Sequence, residues 1–348
     1  MSDKEAGRSV ALQRPEPWPE GDTEPVPNCP ICGASERDLL YSDLSDRVFF
    51  SAPGLWTLWR CRRCGSGYLD PRPTRESISL AYGRYYTHDE DGTTAPTVPL
   101  LRMRLANGYR NGRYGAALTP ATKLGKYIGR IPPLGWAIDN QYRHLPPVPG
   151  RVLDIGAGSG EWLERVRGCG WKVAAVETDP IARERIASRG IAVRQSAQDW
   201  LRSADSFDVV TLNHSIEHVH DPNELLGAAF RLLNPGGQLF LETPNVDALA
   251  HMRFGADWIA LDPPRHLVLF NRKSLGDAVR SAGFTKIRYR SRQTPLPEIY
   301  RESERIAGGL DPLIPGDIEK PVALHLLKLR AILQPSRSEY LTLTAIKE

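Results

Sequence analysis

No run of about 18 apolar residues occurs in the 348-residue chain, so no membrane-spanning helix is expected. The first residues carry no apolar segment either. That argues against a secretory leader and makes a cytoplasmic protein the expectation. Charge of one sign is scarce: 45 basic against 41 acidic side chains leave a net +4. So small an excess does not by itself argue for a nucleic-acid partner. Cysteine is limited to five residues, and with no leader in view this scarcity speaks against a disulfide framework. What remains is ordinary. With 41% hydrophobic and 25% charged residues the chain has material for a full core, and its length allows two domains or one large domain with additions.

Four of the five cysteines form two tight pairs, Cys29-Pro30-Ile31-Cys32-Gly33 and Cys61-Arg62-Arg63-Cys64-Gly65. Two such turns place four thiolates around a tetrahedral Zn²⁺. Cys29, Cys32, Cys61 and Cys64 are therefore the expected metal ligands. With no open coordination position the zinc is expected to be structural. The 28 residues between the pairs exceed the commonest ribbon spacing, but segments 39–41, 48–50 and 55–60 read as strands that fill the gap. Cys169 has no partner and reads as a buried thiol.

Ahead of this module, residues 1–28 hold five prolines between Pro15 and Pro27 and little apolar periodicity, so a disordered tail is expected. The module is bounded at 29–75. Residues 76–145 then read as a helical basic linker or lid, with a short helix over 74–88 and a loop over 89–99. Within 101–143 stand eight Lys/Arg against one acid, Asp139, with Tyr109, Tyr114, Tyr127, Trp136 and Tyr142 interleaved. That composition suits an arm that meets an anionic substrate, a membrane surface or RNA. A connecting helical segment with a solvated basic face is the competing reading.

Pro146-Pro147-Val148-Pro149-Gly150 punctuates the chain, and a domain spanning 146–348 follows. From there apolar strands and helices alternate, which implies an α/β domain with a mostly parallel sheet covered on both faces. Strands are expected at 152–154, 172–177, 192–194, 207–212, 238–242, 284–290 and 340–346. Helices are expected at 161–169, 181–189, 222–233 and 273–282. An insertion over about 292–337, with a helix at 324–333, is expected to pack over the active-site edge.

The first strand breaks into Asp154-Ile155-Gly156-Ala157-Gly158-Ser159-Gly160, with Ser159 a candidate cap for the next helix. The three alternating glycines remove the Cβ atoms that would hold a ligand off the backbone. The turn opens onto a helix N-terminus at the carboxyl edge of the sheet, an arrangement that suits a nucleotide-like ligand. The spacing is not the G-x-G-x-x-G dinucleotide fingerprint. It resembles motif I of the class I S-adenosylmethionine (SAM) methyltransferases. The resemblance implies a Rossmann-like seven-stranded sheet ending in an antiparallel strand pair. In that family the first-strand acid helps hold the methionine part of SAM, here Asp154. An acid at the end of strand two receives the ribose hydroxyls; Glu177 matches, with Asp179 second. After strand three this chain has Ser196 where the family often has Asp, which leaves the adenine contact to Gln198, Asp199 or the backbone. The implied SAM-binding set is Asp154, Gly156, Ala157, Gly158, Gly160, Glu177, Thr178, Ala197, Gln198 and Asn213.

After strand four comes His214-Ser215-Ile216-Glu217-His218. It satisfies the H-x-x-E-H protease pattern, but a β-branched strand runs directly into it where that pattern needs a helix. The Glu-His pair instead resembles the element after strand four in ubiquinone-type O-methyltransferases and zinc-bearing sugar C-methyltransferases. A hydroxyl or activated C–H attacks a sulfonium methyl only after losing a proton, and histidine suits that task. His218 is the candidate base, with Glu217 as its orienting partner. Alternatively the pair holds Mg²⁺ with the substrate, although His214 stands where the quinone family has a further acid. A merely structural role at the strand end is the third reading. The block Leu261-Asp262-Pro263-Pro264-Arg265-His266 resembles the acceptor-site loop of zinc-ribbon methyltransferases of glycan and natural-product pathways. His266 is a second candidate base, and Arg265 a candidate to hold an anionic group. The expectation is SAM-dependent methyl transfer to a sugar, a lipid- or nucleotide-linked glycan or a natural product, O-methylation ahead of C-methylation. An RNA methyltransferase that uses the zinc module and basic segment, and a non-catalytic SAM-binding interaction protein, are the alternatives.

Overall fold

The computed structural model describes residues 15–83, 99–290, 296–315 and 321–348. The N-terminal part contains strands β1 (Thr23–Glu24), β2 (Arg37–Leu44), β3 (Trp56–Cys61), β4 (Gly67–Leu69) and β5 (Arg72–Pro73). The expectation of a disordered tail does not extend to residues 15–28. The Trp18 ring meets Trp56 edge-on at 5.1 Å, β1 pairs with β5, and Val26 is buried. Apolar groups spaced among the prolines give this stretch enough area to bury. Residues 1–14 lie outside the described residues. Of the helix expected over 74–88, a 3₁₀ turn at Ile78–Tyr82 forms, residues 74–77 lead into it as a turn, and residues 84–88 fall outside the described residues, as does most of the loop expected over 89–99.

The basic segment forms helices α1 (Leu100–Tyr114) and α2 (Pro132–Gln141), joined by a 3₁₀ stretch at Lys123–Arg130. Three of its aromatic residues, Tyr109, Tyr114 and Tyr142, are buried and offer no stacking surface. Tyr109 and Tyr114 both donate to Asp139, Tyr114 stacks on Tyr142 at 4.4 Å, and all three pack with Val152, Leu163 and Trp171. The cations Arg102, Arg104, Lys123 and Lys126 remain exposed around this core, so the basic face is solvated.

The remaining elements alternate: β6 (Arg151–Ile155), α3 (Glu161–Arg167), β7 (Lys172–Val176), α4 (Pro180–Ser188), β8 (Ala192–Arg194), α5 (Ala197–Leu201), β9 (Phe207–Asn213), α6 (Pro222–Leu232) and β10 (Leu233–Pro244). Then follow α7 (Leu249–Phe254), β11 (Val268–Leu269), α8 (Arg272–Ser281), β12 (Thr285–Tyr289), α9 (Leu296–Ala307), α10 (Pro321–Leu333) and β13 (Tyr340–Ile346). Local chemistry sets the starts. Asp179 and Asp221 cap α4 and α6, each with proline at the first helical position. Seven strands form one sheet in the order β12-β13-β10-β9-β6-β7-β8. The strands from β6 to β10 are mutually parallel, and β13 runs antiparallel between β10 and β12. This is the class I methyltransferase arrangement.

The strand expected at 48–50 does not form, because the Val48 and Phe49 amides bend onto Asp46, and two larger features also depart from the expected organisation. β11 pairs with β4, so residues of the C-terminal part complete the four-stranded sheet β11-β4-β3-β2. The insertion after β12 carries a second helix, α9. It lies against α7 and the turns at 255–261, and Ser303 Oγ accepts from the Ile259 amide at 3.1 Å.

Candidate functional site

The glycine turn follows from β6. Gly156, Gly158 and Gly160 all take positive φ, at 78°, 55° and 79°. A Cβ on Gly156 would sit 2.7 Å from the Ser215 Cβ, so the turn packs directly against the segment that ends β9. A Cβ on Gly158 would meet nothing within 4 Å. Gly160, not Ser159, occupies the N-cap of α3; its φ of 79° suits glycine, which has no side chain to cap the helix.

Asp154 is completely buried. It pairs with Arg143, and Thr211 Oγ1 donates to it at 2.7 Å. Arg143 also lies over the Trp162 ring at 3.9 Å and donates to Thr211 at 3.0 Å. The first-strand acid is therefore the counter-ion of a guanidinium from the segment before the sheet. Glu177, at the end of β7, accepts from the amides of Gly158 (2.7 Å) and Asp179 (3.0 Å). Burial pushes its carboxyl up. Thr178 is exposed beside it, and Asn213 is half-buried at the end of β9. Ala197 is buried at the start of α5, while the Gln198 amide reaches Glu224 at 2.7 Å. Asp199 closes a capping box with Ser196 and pairs with Arg202, so it is engaged within α5.

A 3₁₀ turn, Ile216–His218, presents the second group. Glu217 is fully buried and accepts from Thr243 Oγ1 at 3.0 Å. His214, in the left-handed region, has Nδ1 3.4 Å from Glu217 and Nε2 3.2 Å from Glu242. Burial alone would raise the Glu217 carboxyl. The His214 interaction and the nearby imidazoles outweigh it and hold the group at about 2. His218 Nδ1 lies 3.0 Å from the Arg265 carbonyl oxygen and 3.1 Å from the Tyr82 hydroxyl. A carbonyl oxygen only accepts, so Nδ1 carries the proton and Nε2 is the basic nitrogen of the neutral ring. Burial, reinforced by His266, lowers His218 to about 4.

His266 joins this group. Its ring meets that of His218 at 4.7 Å, and its Nδ1 lies 2.8 Å from the Ala260 carbonyl. One ligand atom each from Glu217, His218 and His266 falls within 4.8 Å of the others. Two imidazoles and one carboxylate do not suit Mg²⁺, which favours oxygen donors. Arg265 does not hold an anionic ligand. It is completely buried between Asp46 and Asp262, and lies over the Phe49 ring at 4.5 Å. Sequence reasoning missed Arg143, Thr243 and the contact from Tyr82; their partners are far along the chain, and no local pattern announces them.

The four cysteines converge as expected. Cys29 and Cys64 sulfurs lie 3.6 Å apart and those of Cys32 and Cys61 3.5 Å. A zinc with four sulfurs at ~2.3 Å separates them by roughly 3.8 Å, so the cluster fits a tetrahedral ion. Gly33 and Gly65 take positive φ, and their amides close each turn onto the carbonyls of Cys29 and Cys61 at 2.9 Å. The Cys29 hydrogen bond, then burial, pushes the Cys64 thiol up to about 12.

A family model described as a methyltransferase domain matches residues 137–289. The ubiquinone biosynthesis O-methyltransferase of Thiobacillus denitrificans (strain ATCC 25259 / T1) is 31% identical over 171 residues, 44% of this chain and 74% of that protein. The chain belongs to the SAM-dependent methyltransferases. The methyltransferase of the same name from Xanthomonas axonopodis pv. citri (strain 306) is 39% identical over 126 residues, 33% of this chain and 53% of that protein. The chain thus spans about half the length of the first curated relatives it matches. Among solved structures, a SAM-dependent methyltransferase from Archaeoglobus fulgidus is 20% identical with a TM-score of 0.44, covering 62% of this chain and 93% of that one. Among the described residues of this methyltransferase, no helix is long and apolar enough to cross a membrane.

Proposed function

We propose that the protein transfers a methyl group from SAM to a small-molecule acceptor, with His218 as general base and Glu217 as its electrostatic partner. The observation that carries this reading is the juxtaposition of the glycine turn with the Glu217–His218 turn through Gly156 and Ser215. SAM supplies an electrophilic methyl on a sulfonium. Glu177 and the turn at 156–160 are the residues that would hold it, together with Thr178, Ala197, Gln198 and Asn213. His218, neutral with Nε2 unprotonated, takes the proton that the acceptor loses. Glu217 beside it favours the imidazolium that then forms. His266 is the alternative base, since its Nδ1 is likewise tied to a carbonyl.

A hydroxyl acceptor fits the neutral histidine better than a carbon acid, and the curated relatives are named as O-methyltransferases. We favour a sugar, a lipid- or nucleotide-linked glycan, or a natural product. The burial of Tyr109, Tyr114, Tyr142 and Arg143 weighs against the RNA reading, because those residues hold the fold together. Cys29, Cys32, Cys61 and Cys64 are assigned to a structural zinc. The test is incubation of the purified protein and host extract with SAM carrying a labelled methyl. Label in the small-molecule or lipid fraction supports the proposal. Label in RNA overturns it, and so does full turnover by His218→Ala.

A further inference from the structure

Arg265 offers a connection that the two candidate histidines do not reveal by themselves. All its N–H donors are engaged. Nη1 and Nη2 form a fork onto Asp46, at 3.1 and 2.6 Å. Nε and Nη2 reach Asp262, at 3.0 and 2.6 Å, and Nη1 also donates to the Ala81 carbonyl at 2.8 Å. Asp46 belongs to the loop between β2 and β3. It is held by four amides, those of Val48, Phe49, Ser51 and Ala52, at 2.9 to 3.1 Å. One guanidinium therefore ties the N-terminal module to the loop at 262–266 and to the residue before Tyr82.

The main chain at this point completes the arrangement. The Arg265 carbonyl and the Tyr82 hydroxyl both lie within hydrogen-bond distance of His218 Nδ1. Two residues along the chain, the Leu267 amide donates to the Glu217 carbonyl at 2.8 Å, and the Leu267 carbonyl accepts from Leu69 of β4 at 3.1 Å. The side chain of Arg265 thus anchors the residue before Tyr82, and the backbone two residues beyond Arg265 is clamped between the Glu217–His218 turn and the sheet of the N-terminal module.

We propose that Arg265 is a positioning residue. Through its own carbonyl and through Ala81–Tyr82 it locks His218 in the Nδ1–H tautomer, so the N-terminal module, by way of Asp46, decides which histidine nitrogen is basic. The proposal rests on the reading of His218 as base. Arg265 itself touches neither acceptor nor cofactor. Lysine in its place supplies one point charge and cannot fork onto two carboxylates. The loop carrying the carbonyl is then free to shift, and His218 loses the acceptor that selects its tautomer.

The test uses the full chain with ¹⁵N-labelled histidine, read by long-range ¹H–¹⁵N correlation, with His218→Ala identifying the His218 signals. The wild type is expected in the Nδ1–H form. Arg265→Lys is expected to show both tautomers with unchanged SAM affinity by calorimetry, and a kcat lower by ~10²-fold at unchanged KM for SAM, the cost of misplacing a reacting group by about 1 Å. Where Arg265→Lys does not fold, Asp46→Asn, which weakens the fork from the side of the N-terminal module and leaves Arg265 in place, decides in the same way. An unaltered Nδ1–H signal in the folded variant overturns the role of Arg265 and leaves His218 as base. A wild-type His218 in the Nε2–H form overturns the base assignment as well.

Discussion

Replacing Arg143 by methionine should destabilise the protein far more than loss of a surface ion pair. Arg143 is almost fully buried, and Asp154 beneath it has no exposed surface. The variant keeps the packing on Trp162 but leaves Asp154 with Thr211 as its remaining donor. Stranding one member of a buried pair costs about 3–5 kcal/mol. For a domain of this size each kcal/mol lowers Tm by about 2–4 °C, so Tm should fall by at least about 6 °C. Urea unfolding and thermal melts of Arg143→Met, Asp154→Asn and the double variant form a cycle. The double variant should recover more than half the loss, because the uncompensated charge is gone. A cost below about 1 kcal/mol, the scale of an exposed pair, would refute the reasoning. So would a double variant no better than Arg143→Met.

Three further outcomes are expected. Because burial and His266 hold His218 at about 4, its basic form persists well below the usual histidine range; kcat/KM should stay flat from pH 8 down to about 5, with its acid limb near 4, and a limb near ~6.5 would contradict the assignment. Gly158→Ala meets no atom, so its cost should be the ~1–2 kcal/mol of a left-handed alanine, while calorimetry should show weakened SAM binding; intact affinity would place the cofactor elsewhere. Treatment with a chelator that removes the zinc proposed for the four cysteines should abolish methyl transfer and expose the Trp56 and Trp59 region to quenchers, and an unchanged tryptophan signal in metal-free protein would show that the module stands without zinc.

The sheet was legible because its strands are buried on both faces, so β6, β7 and β9 read as apolar runs between glycine and proline punctuation. The cysteine pairs and the Glu217–His218 element were legible for another reason: their chemistry is carried by close spacing. β11 was not legible, since a two-residue strand has no periodicity and its partner β4 lies far away in sequence. α9 does carry a helical pattern, with Leu296, Ile299, Tyr300, Ser303 and Ile306 buried, but it stands in a stretch read as irregular insertion. Arg265 was offered to an anionic group for its charge, and Asp199, with Gln198 and the backbone, to adenine for its place after strand three. Charge in a sequence does not disclose which ions fold back onto each other, and here Asp46, Asp262 and Arg202 reach them first.

The pairing of β4 with β11 also bears on how the chain is made. Synthesis delivers the cysteine turns and β2 to β4 early, yet the strand that covers β4 arrives only with Val268 and Leu269. Until then β4 is an open edge with unpaired backbone groups, the kind of surface on which nascent chains associate. The N-terminal module is thus translated well ahead of the strand that completes its sheet. Expressed alone as residues 15–75 it should self-associate, and adding back a peptide spanning the β11 residues should suppress that association.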